Sequence, residues 1–154
     1  MNTRELKLVY SIPYAIDRVW NAVTVNEVLI QWLADKVTGR PIVGEKFSWG
    51  WNFGNEGEFT TNGIYKSIEP GKSIALKWLD HPAGDIELKL NFLEDGQNTK
   101  LELINSGYPV SEKYNTWIEG AKAGWDFQVE KLLGFLEKWN GIVPPKKKLS
   151  IQAP

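Results

Sequence analysis

The sequence predicts an α+β fold in which a curved antiparallel sheet of six to seven strands wraps around one long C-terminal helix, with two short helices after the first strand. Three observations carry this. From Ser111 to Trp139, Tyr114, Trp117, Ile118, Ala121, Trp125, Gln128, Leu132, Leu136 and Trp139 recur at steps of three and four, which places them on one helical face. About 29 helical residues run roughly 43 Å, and an apolar face of that length requires a surface to cover it. Upstream lie several runs of apolar–polar alternation, the mark of antiparallel strands with one dry and one wet face. The chain has 154 residues and no Cys, which fits a single domain that buries its own core without disulfides.

In chain order, the run Leu6 to Ile12 reads as a first strand, ended by Pro13, which cannot donate to a ladder. Ala15 to Thr24 reads as a short helix with Ile16, Val19, Trp20 and Val23 on one face and Asp17 in its first turn, where the helix dipole favours an acid. Asn26 is placed to cap a second short helix, Glu27 to Leu33. A short strand at Asp35 to Arg40 and a turn at Pro41 to Gly44 precede Lys46 to Phe53, where Phe47, Trp49, Trp51 and Phe53 share one face. Gly54 to Gly57 turns the chain into a strand from Glu58 to Ile68, and Pro70-Gly71 into another from Ser73 to Leu79. A loop, Asp80 to Gly84, carries the lone His81. Asp85 to Leu93 alternates again, and Asp95-Gly96 leads to a last strand, Thr99 to Ile104. Asn105 to Pro109 reads as a connection to Ser111, the expected cap of the long helix, which Asn140-Gly141 stops. The domain is expected to span 1–141, followed by a tail, 142–154, with Pro144-Pro145 and three lysines at 146–148.

Composition narrows the function classes. A net charge of −1 does not describe a nucleic-acid surface. One His and no Cys argue against a transition-metal site, and no cofactor motif is present. No apolar run approaches the ~18 residues of a membrane span, and the N-terminus shows no signal region, so the expected location is the cytoplasm. Eight Trp, by contrast, supply rigid aromatic surface for a core or a pocket wall. The carboxylate pairs Glu56 and Glu58, Asp85 and Glu87, and Glu94 and Asp95 fall at turns or outward positions, where solvated charge is expected. His81 is expected at the surface, because no nucleophile motif accompanies it.

The order of elements, together with several short motifs, resembles the START-like helix-grip (SRPBCC) superfamily, and more narrowly the family of the activator of the heat-shock-protein-90 ATPase. The motifs are Val19-Trp20-x-Ala22-Val23-Thr24, Ile30-x-Trp32, Gly44-x-x-Phe47, and the hairpin Gly63-Ile64-Tyr65-x-x-Ile68-x-Pro70-x-Lys72-x-Ile74-x-x-x-Trp78. Thr99-x-Leu101-x-Leu103, Ser106-Gly107-Tyr108, Gly124-Trp125 and Leu132-Leu133 complete them. The resemblance implies the helix-grip fold and a cavity between the sheet and the first half of the long helix. It implies no single activity, since the superfamily hosts binders, cyclases and hydrolases. In the named activator this fold is joined to a separate chaperone-binding domain, so a chaperone role is not carried over.

The expected function is binding of a small apolar or aromatic molecule in that cavity, the alternative being an enzyme acting on a hydrophobic substrate there. The aromatic stripe from Phe47 to Phe53 serves either a solid core or a pocket wall. Gly120, Ala121, Ala123 and Gly124 are small residues in mid-helix. Gly there costs up to ~1 kcal/mol against Ala, which calls for close packing or for room for a ligand. The expected ligand-binding set is Trp32, Trp49, Trp51, Tyr65, Trp78, Leu88, Leu90, Tyr114, Trp117, Ala121, Trp125 and Gln128. Gln128, Tyr114 and Tyr65 are the polar candidates, and the resemblance puts Trp32 near the cavity mouth. No catalytic residue is assigned. Val143, Leu149 and Ile151 of the tail are expected to rest against the domain or against a second copy of it, the latter making a homodimer.

Overall fold

The computed structural model of the chain describes residues 2–143. Seven strands form one antiparallel sheet: β1 (Thr3–Ile12), β2 (Lys36–Thr38), β3 (Lys46–Asn52), β4 (Glu58–Glu69), β5 (Ser73–Trp78), β6 (Glu87–Asp95) and β7 (Asn98–Pro109). Their order across the sheet is β1-β7-β6-β5-β4-β3-β2, so every neighbour from β2 to β7 is also the next strand in sequence, and β1 lies at the edge beside β7, the last strand of the chain. Helices α1 (Ile16–Thr24) and α2 (Asn26–Trp32) follow β1, and the long helix α3 spans Asn115–Lys138. This is the expected helix-grip architecture.

Register explains which side chains point inward. Phe47 pairs with Gly63, Trp49 with Thr61 and Trp51 with Phe59, while Gly63 pairs with Trp78 across the next ladder. Leu76 pairs with Leu88 and Ile74 with Leu90; Leu88 in turn faces Asn105, and Leu90 faces Leu103. The row Phe47–Gly63–Trp78 works because Gly63 has no side chain. A Cβ there would lie 2.3 Å from Cζ of Phe47 and 2.8 Å from the carbonyl oxygen of Lys77.

The long helix is held unevenly. Its buried residues are Val129, Leu132 and Leu136, all in the C-terminal half. That half closes on the main core, which includes Ile12, Val19, Val28, Leu29, Leu76, Leu88 and Leu101. Arg18 of α1 donates through Nη2 to the carbonyls of Leu136 and Trp139, and its guanidinium lies 5.0 Å from the Tyr14 ring. Trp139 stacks on Phe135 at 5.3 Å. Tyr10 of β1 donates to Oδ1 of Asp126 at 2.7 Å, and Lys131 Nζ to the carbonyl of Leu33 at 3.1 Å. The N-terminal end rests instead on a second, small cluster: Tyr114, Ile118 and Ala121 against Ala83, Ile86 and Tyr108. Between these two supports α3 bridges a gap, and Gly120 and Gly124 lie over it.

Four local expectations are corrected. The chain after Ile104 is strand, not connection: β7 runs on to Pro109 because β1 starts at Thr3 and supplies the partner. Asn26 does not cap α2; Val25 holds that position and Asn26 Nδ2 donates to the carbonyl of Gly39. Ser111 makes no side-chain cap, since a short 3-10 turn, Glu112–Tyr114, intervenes and α3 starts at Asn115. Phe53 leaves the aromatic stripe: β3 ends at Asn52 and Phe53 turns out to solvent. The tail is described only as far as Val143; the lysines at 146–148, Leu149 and Ile151, with the dimer contact expected of them, lie outside the described residues.

Candidate functional site: a Trp-walled cavity under the long helix

The gap beneath α3 is a cavity of about 670 Å³ between the sheet and the first half of the helix. This volume lies in the range of small-molecule sites. Its sheet wall is made by Trp49, Trp51, Phe59, Thr60, Thr61, Trp78 and Asn105, and its helix wall by Thr116, Trp117, Gly120, Ala121, Gly124, Trp125 and Gln128. Asp80, His81, Pro82, Ile86 and Tyr108 close one end and Leu33 borders the other side. Trp78 links the two walls, with ring centroids 6.2 Å from Trp49 and 6.3 Å from Trp125, both edge to face. Phe59 and Trp117, both partly open to solvent, mark the mouth. A Cβ built on Gly120 or Gly124 meets nothing within 4 Å, so these glycines border open space and not the sheet.

The polar groups gather at the Asp80–Pro82 end. Asp80 accepts from Thr61 Oγ1 at 3.2 Å, from the Asn62 backbone N–H at 3.0 Å and from Asn62 Nδ2 at 3.0 Å. His81 Nδ1 accepts from the backbone N–H of Ala83 at 3.0 Å. Its ring packs 5.5 Å from Trp117 and 5.9 Å from Tyr108. Burial pushes the His81 pKa below its ordinary value, against the smaller pull of the Asp80 charge. Tyr108 donates to Asn105 Oδ1 at 2.7 Å, Asn105 Nδ2 donates to the carbonyl of Glu87 at 3.0 Å, and burial raises the Tyr108 pKa, so the phenol stays neutral. Elsewhere on the wall, Trp51 Nε1 donates to Leu33 at 2.7 Å, whereas Trp49 Nε1 and Gln128 Oε1 are buried without a partner among the described residues. No Lys or Arg lines the cavity. Among the described residues no group of acids and His is placed to hold a metal ion, and no helix is long and apolar enough to cross a membrane.

Of the twelve residues expected from sequence, the structure brings Trp49, Trp51, Trp78, Trp117, Ala121, Trp125 and Gln128 together on the wall. Five lie elsewhere. Trp32 anchors α2, its Nε1 donating to the carbonyl of Ala22 at 2.8 Å. Tyr65 is buried beside Phe47 at 4.9 Å, where burial pushes its hydroxyl up to about 12. Leu88 is buried in the main core and Leu90 packs against it. Tyr114 rests on the small cluster at the helix start. Conversely, His81, expected at the surface, is half-buried in the cavity end, and Asp80, Thr61, Asn105 and Tyr108 join it. The Trp49–Thr61 pairing follows from strand register; for His81 no periodicity applies, because it sits on a loop.

Comparison with curated proteins finds no match. Solved structures match closely in fold. An X-ray structure of a protein from Mesorhizobium loti is similar at 22% identity, covering 89% of this chain and 99% of that one, with a TM-score of 0.75. CalU16 from Micromonospora echinospora is similar at 21% identity over 88% of this chain and 78% of its own, TM-score 0.72. The solution structure of the Aha1 dimer from Colwellia psychrerythraea is similar at 14% identity over 88% and 97%, TM-score 0.73. At these identities the likeness shows the fold alone. The profile of the family described as "Activator of Hsp90 ATPase homolog 1-like protein" matches residues 13–137, nearly the whole of the folded chain, and the protein belongs to that family.

Proposed function

We propose that this protein binds a small apolar or aromatic molecule in the cavity between the sheet and α3. The observation that carries this reading is the span of α3 itself: a buried C-terminal half, a start resting on the small cluster, two glycines over open space between them, and Trp49, Trp51, Trp78 and Trp125 lining that space. A folded domain ordinarily fills its interior, and an unfilled one forfeits dispersion contacts. A ligand restores them by burial and stacking on the Trp walls. The unpartnered Trp49 Nε1 and Gln128 Oε1 add a donor and an acceptor on the same walls, supporting a ligand with some polar character. Native mass spectrometry of the purified protein tests the reading. A bound molecule that leaves on mild activation is expected; a protein that carries none and also binds no apolar aromatic compound in titration refutes it.

The second reading, an enzyme acting on a hydrophobic substrate, draws on Asp80 and His81 at the cavity end. Their geometry gives it little: Asp80 directs its oxygens to Thr61 and Asn62, and His81 directs Nδ1 to a backbone amide, so the two do not form an acid–base pair. Turnover of the bound molecule is the result that favours it. The Colwellia relative is a dimer by its description; a homodimer of this chain is proposed on the same footing, with its mass in solution as the test.

A further inference from the structure

The cavity end that holds Asp80 and His81 specifies the charge and the polar group of the ligand, given the binding reading above. No lysine or arginine lines the cavity, and the one carboxylate on its wall is Asp80. An anionic ligand would give up its hydration there without a counter-charge and would meet a like charge. Lys131 reaches one edge, but its Nζ is directed to the carbonyl of Leu33 and it does not line the cavity. An uncharged ligand carries neither penalty.

His81 supplies the complementary group. Its Nδ1 accepts from the Ala83 amide, which assigns the proton of the neutral ring to Nε2. Nε2, across the ring from that bond, makes no hydrogen bond to a described residue and, unlike Trp49 Nε1 and Gln128 Oε1, is not fully buried, so it is open to an incoming group. The ring is held in place between Tyr108 and Trp117. It is thus a fixed neutral donor on the wall of an apolar cavity, and protonating it would break the Ala83 bond. We propose that His81 is a specificity-determining residue that donates Nε2–H to an uncharged acceptor oxygen, such as a ketone carbonyl, so that the cavity takes neutral aromatic carbonyl compounds in preference to carboxylates.

Three ligands of nearly equal size test this: butylbenzene, butyrophenone and phenylbutyrate, titrated by NMR at neutral pH against the wild type, His81→Phe and His81→Gln. Phe keeps an aromatic ring between Tyr108 and Trp117 without the donor, and Gln offers an amide N–H in its place. In the wild type, butyrophenone is expected to bind at least as tightly as butylbenzene, and phenylbutyrate about tenfold more weakly or worse. In His81→Phe, butyrophenone is expected to lose about tenfold while butylbenzene stays within roughly twofold, and His81→Gln recovers part of the loss. If butyrophenone loses nothing in His81→Phe while butylbenzene still binds, the His81 assignment falls and the cavity reading stands. If neither butylbenzene nor butyrophenone binds the wild type, the cavity reading falls and takes this one with it. If phenylbutyrate binds tightest and weakens in Lys131→Met, the site is one for anions and the proposal is overturned.

Discussion

Gly124→Leu puts the hollow interior to a direct test. A Gly in the middle of a helix costs about 0.8–1.0 kcal/mol against Ala, and Leu is nearly as good a helix former as Ala. At a packed position this gain would be erased, because added methylenes in a filled core cost about 1–3 kcal/mol. At Gly124 a Cβ meets nothing within 4 Å, so the overpacking cost is absent and the propensity gain survives. For a domain of this size about 1 kcal/mol moves the melting temperature by roughly 2–4 °C, upwards here. Gly124 lines the cavity, so a Leu there should weaken any ligand that reaches the middle of the helix. Thermal unfolding by circular dichroism and a ligand titration give the two readouts. Gly63→Ala is the control at a filled position: its Cβ would stand 2.5 Å from Cε2 of Phe47, and a clear fall in melting temperature is expected. If Gly124→Leu melts several degrees lower than the wild type, α3 closes on the sheet and the hollow-interior argument is wrong.

Other consequences follow from the same geometry. Five Trp in the wall make emission a reporter: a bound aromatic compound should quench or shift tryptophan fluorescence, and calorimetric binding without an emission change would exclude these Trp as the contact surface. Tyr108→Phe removes the donor to Asn105 Oδ1 in a site where both residues are buried, so it should cost about 1–3 kcal/mol, read from urea unfolding. Stability should also depend on pH through His81, the only His in the chain. Its folded pKa lies below 6.5, so as pH falls through about 6.5 the unfolded chain takes up the proton first and stability declines, levelling off below the folded value. Asp80 beside it opposes the shift, and the neighbouring Tyr108 and Trp117 rings carry no charge in this range. His81→Gln should flatten the decline between about pH 5 and 6.5, where unperturbed carboxylates contribute little.

The fold was legible because its signals are periodic and long. Strand alternation from Lys46 onward put Phe47, Trp49 and Trp51 on one face, and the register confirms that they share it. The helix stripe from Trp117 to Leu136 named the face that meets the sheet. What failed lay at ends, where tertiary partners outweigh local preference. Asn26 resembles a cap, but its side-chain amide donates to the carbonyl of Gly39, 13 residues further along the chain, a partner that no local pattern indicates. Asn105 to Pro109 lacks a clean alternation, yet the early residues of β1 pair with it and turn it into strand.

The site divides along the same line. Residues on regular elements, from Trp49 to Trp125, could be assigned to a wall because period and register fix where a side chain points. Leu88 and Leu90 show the limit of that rule: both belong to the main core, which the C-terminal half of α3 joins through Val129, Leu132 and Leu136, and neither borders the hollow. The face is encoded in the alternation, whereas the depth of packing above it depends on where the helix lifts off. The mid-helix glycines were the signal for that lift, and both Gly120 and Gly124 border the open volume. His81 left no such trace. Its loop has no period, and its direction is set by one backbone amide at Ala83 and two aromatic neighbours from β7 and α3, distant in sequence. A lone His in a Pro–Gly loop therefore reads as surface until the fold brings Tyr108 and Trp117 to it, and it is that meeting which turns it into an oriented donor at the end of an apolar cavity.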